Sequence, residues 1–229
     1  SDQEVDYVLD HVYDDAKKIL ADSDFIMYQW AENGWYGFGT KEKPIYYPVD
    51  LKGLKMRSQE SKSHLETFRV YGSNPIPISI PEVLSSLQTG VVDGFDNTPL
   101  FSFATSWYQG IKYFTASNHI YQPGIVIYSK KWFDKQPKDI QVILMTGIAE
   151  DTKFGRDGVR TLYQPLLDNF TAAGIKVIHP EPKAMSEFKD QSKKVKSIFA
   201  KQTTPAGRNF LKAIEKAKTD YAKQKIAKQ

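Results

Sequence analysis

Two polar residues stand out because of what their neighbours do. Arg57 closes the run LKMR, in which apolar Leu54 and Met56 alternate with polar Lys55 and Arg57. That is the period-two pattern of a strand, and Ser58 and Ser61 then offer helix caps. Asn97 sits in VVDGFDNTP, where residues 91–95 read as a strand and Asp96, Asn97 or Thr98 can each cap the helix that follows. In an open α/β sheet, ligands bind beyond the carboxyl ends of the strands, and both side chains are delivered there. A guanidinium is a planar fork of donors, ionised at any working pH and matched to a carboxylate. Arg57 therefore suggests an anion receptor, set against the plainer reading of a solvated arginine in a weak ion pair. For Asn97 the choice between a ligand donor and a helix cap stays open at this level.

Other chemistries find little support. No GxSxG, HExxH, Walker loop or GxGxxG occurs, and most nucleophile-and-base schemes lack candidates. Asp93 and Asp96 form a close acidic pair, which keeps a metal-assisted enzyme as an alternative. There are four histidines and no cysteine; none of the histidines has metal-ligand spacing, and His119 reads as a satisfied structural residue. No catalytic residue, metal ligand or cofactor is expected. The net charge is +4 over 229 residues, with lysines scattered along helix faces, so no nucleic-acid footprint is expected. No apolar run approaches the roughly 20 residues that span a bilayer.

The elements that must position Arg57 and Asn97 follow from local pattern. Residues 1–22 read as one helix, with Ser1 and Glu4 as a capping box, and residues 25–30 as a buried strand. ENGWYGFGTKEKPI, with glycines at 34, 37 and 39, reads as a turn-rich aromatic segment. A helix is indicated over 62–71, an edge strand over 74–79 because of Pro75 and Pro77, and a helix over 80–89 with Pro81 at its start and Gly90 at its end. Strands are expected over 112–115, 119–128 and 175–178, the second interrupted at Pro123 and Gly124. One very long helix is expected over 137–172, bent at Pro165 and ended by Gly174; two helices broken near Gly155 or Gly158 are the alternative. Two lysine-rich amphipathic helices, about 184–201 and 205–227, follow.

The run DLKGLKMR, a helix, and then GSNPIPISIPEVLSSLQTGVVDGFDNTP resembles the central signature of the extracytoplasmic solute-binding proteins of TRAP transporters, which carry organic acids. The matching positions are Asp50 to Arg57, Gly72, Glu82, Val83, Leu87 to Gly90, Val92, Asp93, Gly94 and Asn97. The resemblance implies a two-lobed α/β periplasmic fold with a long interlobe helix and hinge closure on a small carboxylate. Arg57 would be its charge anchor and Asn97 an orienting donor. Ile80 stands where an apolar side chain covers the ligand, and Tyr36 where relatives often carry a second arginine. MRSQESK looks most like the four-carbon dicarboxylate binders, and Gln59 of that motif joins the pocket.

Family members carry about a hundred further residues before the point matching Ser1, a stretch of domain size. The first lobe is therefore expected to be incomplete: residues 1–34 and 123–162 as its remainder, and 35–122 and 163–229 as the second lobe. The acidic start SDQEVDYVLD lacks the basic and apolar regions of a secretion signal, so a periplasmic protein is expected here in processed form. The expected partners are a small-molecule carboxylate and the TRAP membrane subunits, and the expected state is a monomer. A fragment with impaired binding is the alternative.

Overall fold

A computed structural model describes residues 1–227 of the chain. The N-terminal apolar spacing forms two helices, α1 (Asp2–His11) and α2 (Tyr13–Ala21), not one. Val12 interrupts them at φ −106° and ψ 8°, and the Ser1 hydroxyl accepts the Glu4 N–H at 3.3 Å as the expected cap. Next come β1 (Phe25–Trp35), β2 (Gly37–Thr40), β3 (Lys55–Ser58), α3 (Lys62–Val70) and β4 (Asn74–Pro77). A single 3-10 turn leads into α4 (Val83–Thr89), which stops at Gly90 in the left-handed region, φ 77°. β5 (Gly94–Asn97) runs into α5 (Pro99–Ala104), followed by β6 (Tyr113–Thr115) and β7 (Tyr121–Ser129). The remainder is α6 (Lys130–Phe133), α7 (Lys138–Leu144), α8 (Ile148–Ala172), β8 (Lys176–Ile178), α9 (Pro182–Gln202) and α10 (Pro205–Ala227).

Two further expectations are corrected. The single helix over 137–172 is α7 and α8, and the break falls at Gly147, φ 85°; Gly155, Gly158 and Pro165 all lie inside α8. The glycine-rich stretch after Glu32 is mostly strand, not turn. Gly37 and Gly39 are small because rings lie against them: a Cβ at Gly37 would meet the Phe114 ring at 2.6 Å, and one at Gly39 the Phe95 ring at 2.6 Å.

The chain forms two compact units. The first comprises Ser1–Ala31, Gly124–Gly155 and the chain from Ala200. Its helices α1 and α10 pack together, with Tyr7 and Tyr221 rings 5.4 Å apart and Gln224 donating to the Tyr7 hydroxyl at 2.9 Å. The sequence reading put residues 163–229 wholly in the second lobe; packing on α1 instead puts α10 in the first unit. Ile125, Val126 and Ile127 of β7 are exposed in it.

The second unit comprises Glu32–Pro123 and Arg156–Phe199. Its six-stranded sheet has the order β4-β3-β5-β2-β6-β8, so β4 is the edge strand that its prolines suit. β3 runs parallel to β4 and β5, and β2 runs antiparallel to β5 and β6. Register sorts the faces. Phe95 is level with Gly39 and Arg57, Phe114 is also level with Gly39, and Phe38 is level with Asp96. Phe95, Phe114, Trp107 and Phe170 therefore build the core on one face, and Phe38, Met56, Phe68 and Phe188 the core on the other.

The tightest approach in the sheet is at Gly94, where an added Cβ would lie 2.4 Å from the Gly39 carbonyl oxygen. Overpacking of this kind costs about 3 kcal/mol. Gly94→Ala should lower the urea midpoint accordingly; an unchanged midpoint would contradict the register.

Candidate functional site

Because β3 and β5 are parallel neighbours with Arg57 level with Phe95, Arg57 and Asn97 emerge on the same face, two residues apart along β5. The alternation that sends them one way sends Ser58 and Asp96 the other. Arg57 is 3% exposed. Its Nε donates to the Ile78 carbonyl at 3.0 Å, and its guanidinium carbon lies 4.9 Å over the Trp107 ring. Burial lowers its pKa, and the nearby Asp96 and Tyr36 oppose that shift. An arginine stays ionised under such a shift.

Arg57 lines a cavity of about 580 Å³ together with Gln59, Glu60, Ser79, Ile80 and Asn97. Asn33, Gln122, Ile78 and Phe101 complete the lining. Asn97 is 3% exposed and its Oδ1 accepts the Thr98 N–H at 2.8 Å. Capping of α5 falls to Thr98, whose hydroxyl accepts the Phe101 N–H at 3.1 Å, and not to Asn97. Ile80 is 49% exposed at the cavity, not a core residue under the helix start. Tyr36 is not part of the lining: it is 2% exposed, and its hydroxyl is shared by Gln59 at 3.3 Å and by Gln122. Four of the five residues singled out in the sequence thus surround one cavity, and Tyr36 lies behind it.

Beneath the sheet, on the opposite face, lies a buried polar cluster that sequence spacing did not reveal. Asp96 is fully buried. His64 Nε2 straddles its two oxygens at 2.8 and 2.9 Å, and His119 Nε2 is 3.3 Å away. The Gln59 backbone N–H donates to His64 Nδ1 at 3.1 Å. An N–H can only donate, so Nδ1 accepts, and His64 is the neutral tautomer with its proton on Nε2 toward Asp96. Burial alone raises the Asp96 pKa; His64 and His119 more than reverse this and hold the carboxyl below the usual range. His119 also stacks on Phe38 at 4.1 Å and bonds Ser117 at 2.8 Å, the satisfied structural role expected of it. Asp93 has separate business, accepting the Lys55 N–H at 2.8 Å, so the Asp93 and Asp96 pair is split between different partners. Among the described residues no group of three or more His, Cys, Asp or Glu is placed to hold a metal ion.

Asn33 and Gln122 are the lining residues that local pattern could not find. They sit on β1 and β7, 89 positions apart, and meet only through tertiary structure, with Asn33 Nδ2 donating to Gln122 Oε1 at 2.7 Å.

Residues 2–203 match the family described as bacterial extracellular solute-binding protein, family 7. Among curated relatives, the 2,3-diketo-L-gulonate-binding periplasmic protein of Escherichia coli is 30% identical over 205 residues, which are 89% of this chain and 62% of that protein. The C4-dicarboxylate-binding periplasmic protein of Rhodobacter capsulatus is 34% identical over 59% of this chain and 41% of its own length. The chain thus spans less than two thirds of the length of these relatives. In structure it resembles the sugar acid binding protein of Advenella mimigardefordensis in complex with galactonate, with a TM-score of 0.83, 27% identity, and coverage of 95% of this chain and 71% of that one. The ectoine-binding protein of the Halomonas elongata TRAP transporter shares the fold, with a TM-score of 0.88 at 18% identity, over 96% of this chain and 72% of that one. No helix among the described residues is long and apolar enough to cross a membrane.

The buried cluster carries a pH signature. Burial lowers the His119 pKa, so below about pH 6.5 the unfolded chain takes up a proton that the folded chain refuses. The lowered Asp96 pKa acts with the same sign below about pH 4. Stability should therefore fall on acidification from neutrality, first below about pH 6.5 and again below about pH 4. Urea unfolding at a series of pH values checks this; stability that rises on acidification from neutrality would contradict it.

Proposed function

The chain belongs to the bacterial extracellular solute-binding proteins of family 7, and from that premise we propose that it captures a small organic acid in the periplasm for delivery to a TRAP membrane permease. Arg57 anchors the carboxylate. Asn97 and Gln59 orient the ligand, Ile80 covers it, and Tyr36 braces the wall from behind. Closure of the two lobes around the ligand would produce the state that the permease recognises. The protein acts by binding, as a monomer, with no bond made or broken and no cofactor.

One observation carries this reading. The Arg57 guanidinium is buried and fixed by the Ile78 carbonyl and the Trp107 ring, while no acceptor among the described residues engages its terminal nitrogens. A buried cation so placed at a cavity is the arrangement that an anion completes. A second reading, a chain that keeps the fold without holding solute by itself, is favoured by the 62% coverage of the Escherichia coli relative.

Calorimetric titration against a panel of organic acids separates the two. The receptor reading expects micromolar or tighter binding of at least one acid without added metal. Arg57→Ala should weaken that binding by about 100-fold or more, with the fold retained by circular dichroism. Unaltered affinity in Arg57→Ala would remove the residue from the site, and silence across the panel would favour the second reading.

A further inference from the structure

A chain of hydrogen bonds runs from a backbone amide into the cavity wall. The Phe101 N–H donates to Thr98 Oγ1 at 3.1 Å, and Thr98 sends its own proton to Asn33 Oδ1 at 3.2 Å. Asn33 Nδ2 in turn donates to Gln122 Oε1 at 2.7 Å. Gln122 Oε1 is thereby an acceptor, so the Tyr36 hydroxyl beside it donates and takes the Gln59 Nε2–H at 3.3 Å on its lone pair. Independently, the Thr98 N–H fixes Asn97 with Oδ1 inward.

The consequence is a definite set of unengaged atoms. Gln122 Nε2, Asn97 Nδ2 and the terminal nitrogens of Arg57 are donors, and Gln59 Oε1 is an acceptor. None of these atoms has a protein partner among the described residues, and all four residues line the cavity. Glu60, also in the lining, adds a second acceptor. Donors and acceptors therefore share one cavity that presents a single cation.

Resting on the receptor reading above, we propose that this pocket selects a polyhydroxylated monocarboxylate over a plain dicarboxylate, with Gln59 Oε1 as the specificity-determining acceptor. A carboxylate is acceptor-only; the first is satisfied by Arg57 and Asn97. A second carboxylate would face Gln59 Oε1 and Glu60, which offer it no proton and, from Glu60, like-charge repulsion. Hydroxyl groups instead donate to those two oxygens and accept from Gln122 Nε2. An acceptor that ligand binding covers discriminates against a ligand that leaves it unpaired.

Isothermal titration of the chain with gluconate, adipate, succinate and hexanoate tests this. Gluconate should bind about tenfold or more tightly than any of the others. In Gln59→Leu the ratio of the affinity for gluconate to that for adipate should fall about tenfold; a folding defect would lower both equally. Succinate or adipate matching gluconate would overturn the proposal, as would an equal loss for gluconate and adipate in Gln59→Leu. Binding of a dicarboxylate alone leaves the receptor standing and removes this specificity, whereas binding of none of the four removes this specificity and leaves the receptor reading to the wider acid panel.

Discussion

The structure turns on a cation held out of water with its hydrogen bonds only partly met. Removing a charge from solvent is unfavourable by several kcal/mol unless partners replace the water. Arg57, 3% exposed, has one such partner at Nε, the Ile78 carbonyl, and the face of Trp107 below it. Burial lowers the Arg57 pKa, and the buried Asp96 carboxylate opposes that shift from its position on the other side of the sheet. These contacts fix the guanidinium's orientation without consuming the fork that faces the cavity. An anion entering the cavity supplies what the protein withholds, so affinity arises where the folded chain is least satisfied.

The surrounding elements serve that arrangement in different ways. Parallel pairing of β3 and β5 puts Arg57 and Asn97 on one face and Asp96 on the other. Gly37, Gly39 and Gly94 let the strands and rings close up without side chains between them. The two histidines hydrogen-bond Asp96 and keep it ionised, and His64 Nδ1 also holds the Gln59 backbone N–H. The floor of the pocket is therefore coupled to its wall through one imidazole, and the Tyr36 hydroxyl repeats the device at the Gln59 and Gln122 side chains.

What was legible in the sequence was whatever a few consecutive residues determine. The alternation in LKMR, the prolines of β4 and the Gly90 stop of α4 all read correctly, and with them came Arg57 and Asn97 at strand ends. Gly37 and Gly39 were misread because a glycine signals a turn locally, whereas their true constraint is a ring on a neighbouring strand: Phe114 for Gly37 and Phe95 for Gly39. The break between α7 and α8 was misplaced because Gly155 and Gly158 sit in a helix with nothing within 4 Å of an added Cβ, while Gly147, of these three, adopts a positive φ. Asp96, His64 and His119, like Asn33 and Gln122, are joined by sheet register and tertiary approach, which no short window contains.

The most direct test is a crystal structure of the chain with the acid that binds it most tightly. The account predicts the ligand's carboxylate on the terminal nitrogens of Arg57 at about 2.7–2.9 Å, with Nε still on the Ile78 carbonyl and the Trp107 ring still beneath. A carboxylate bound elsewhere, or an Arg57 swung away from Ile78 into solvent, would contradict it.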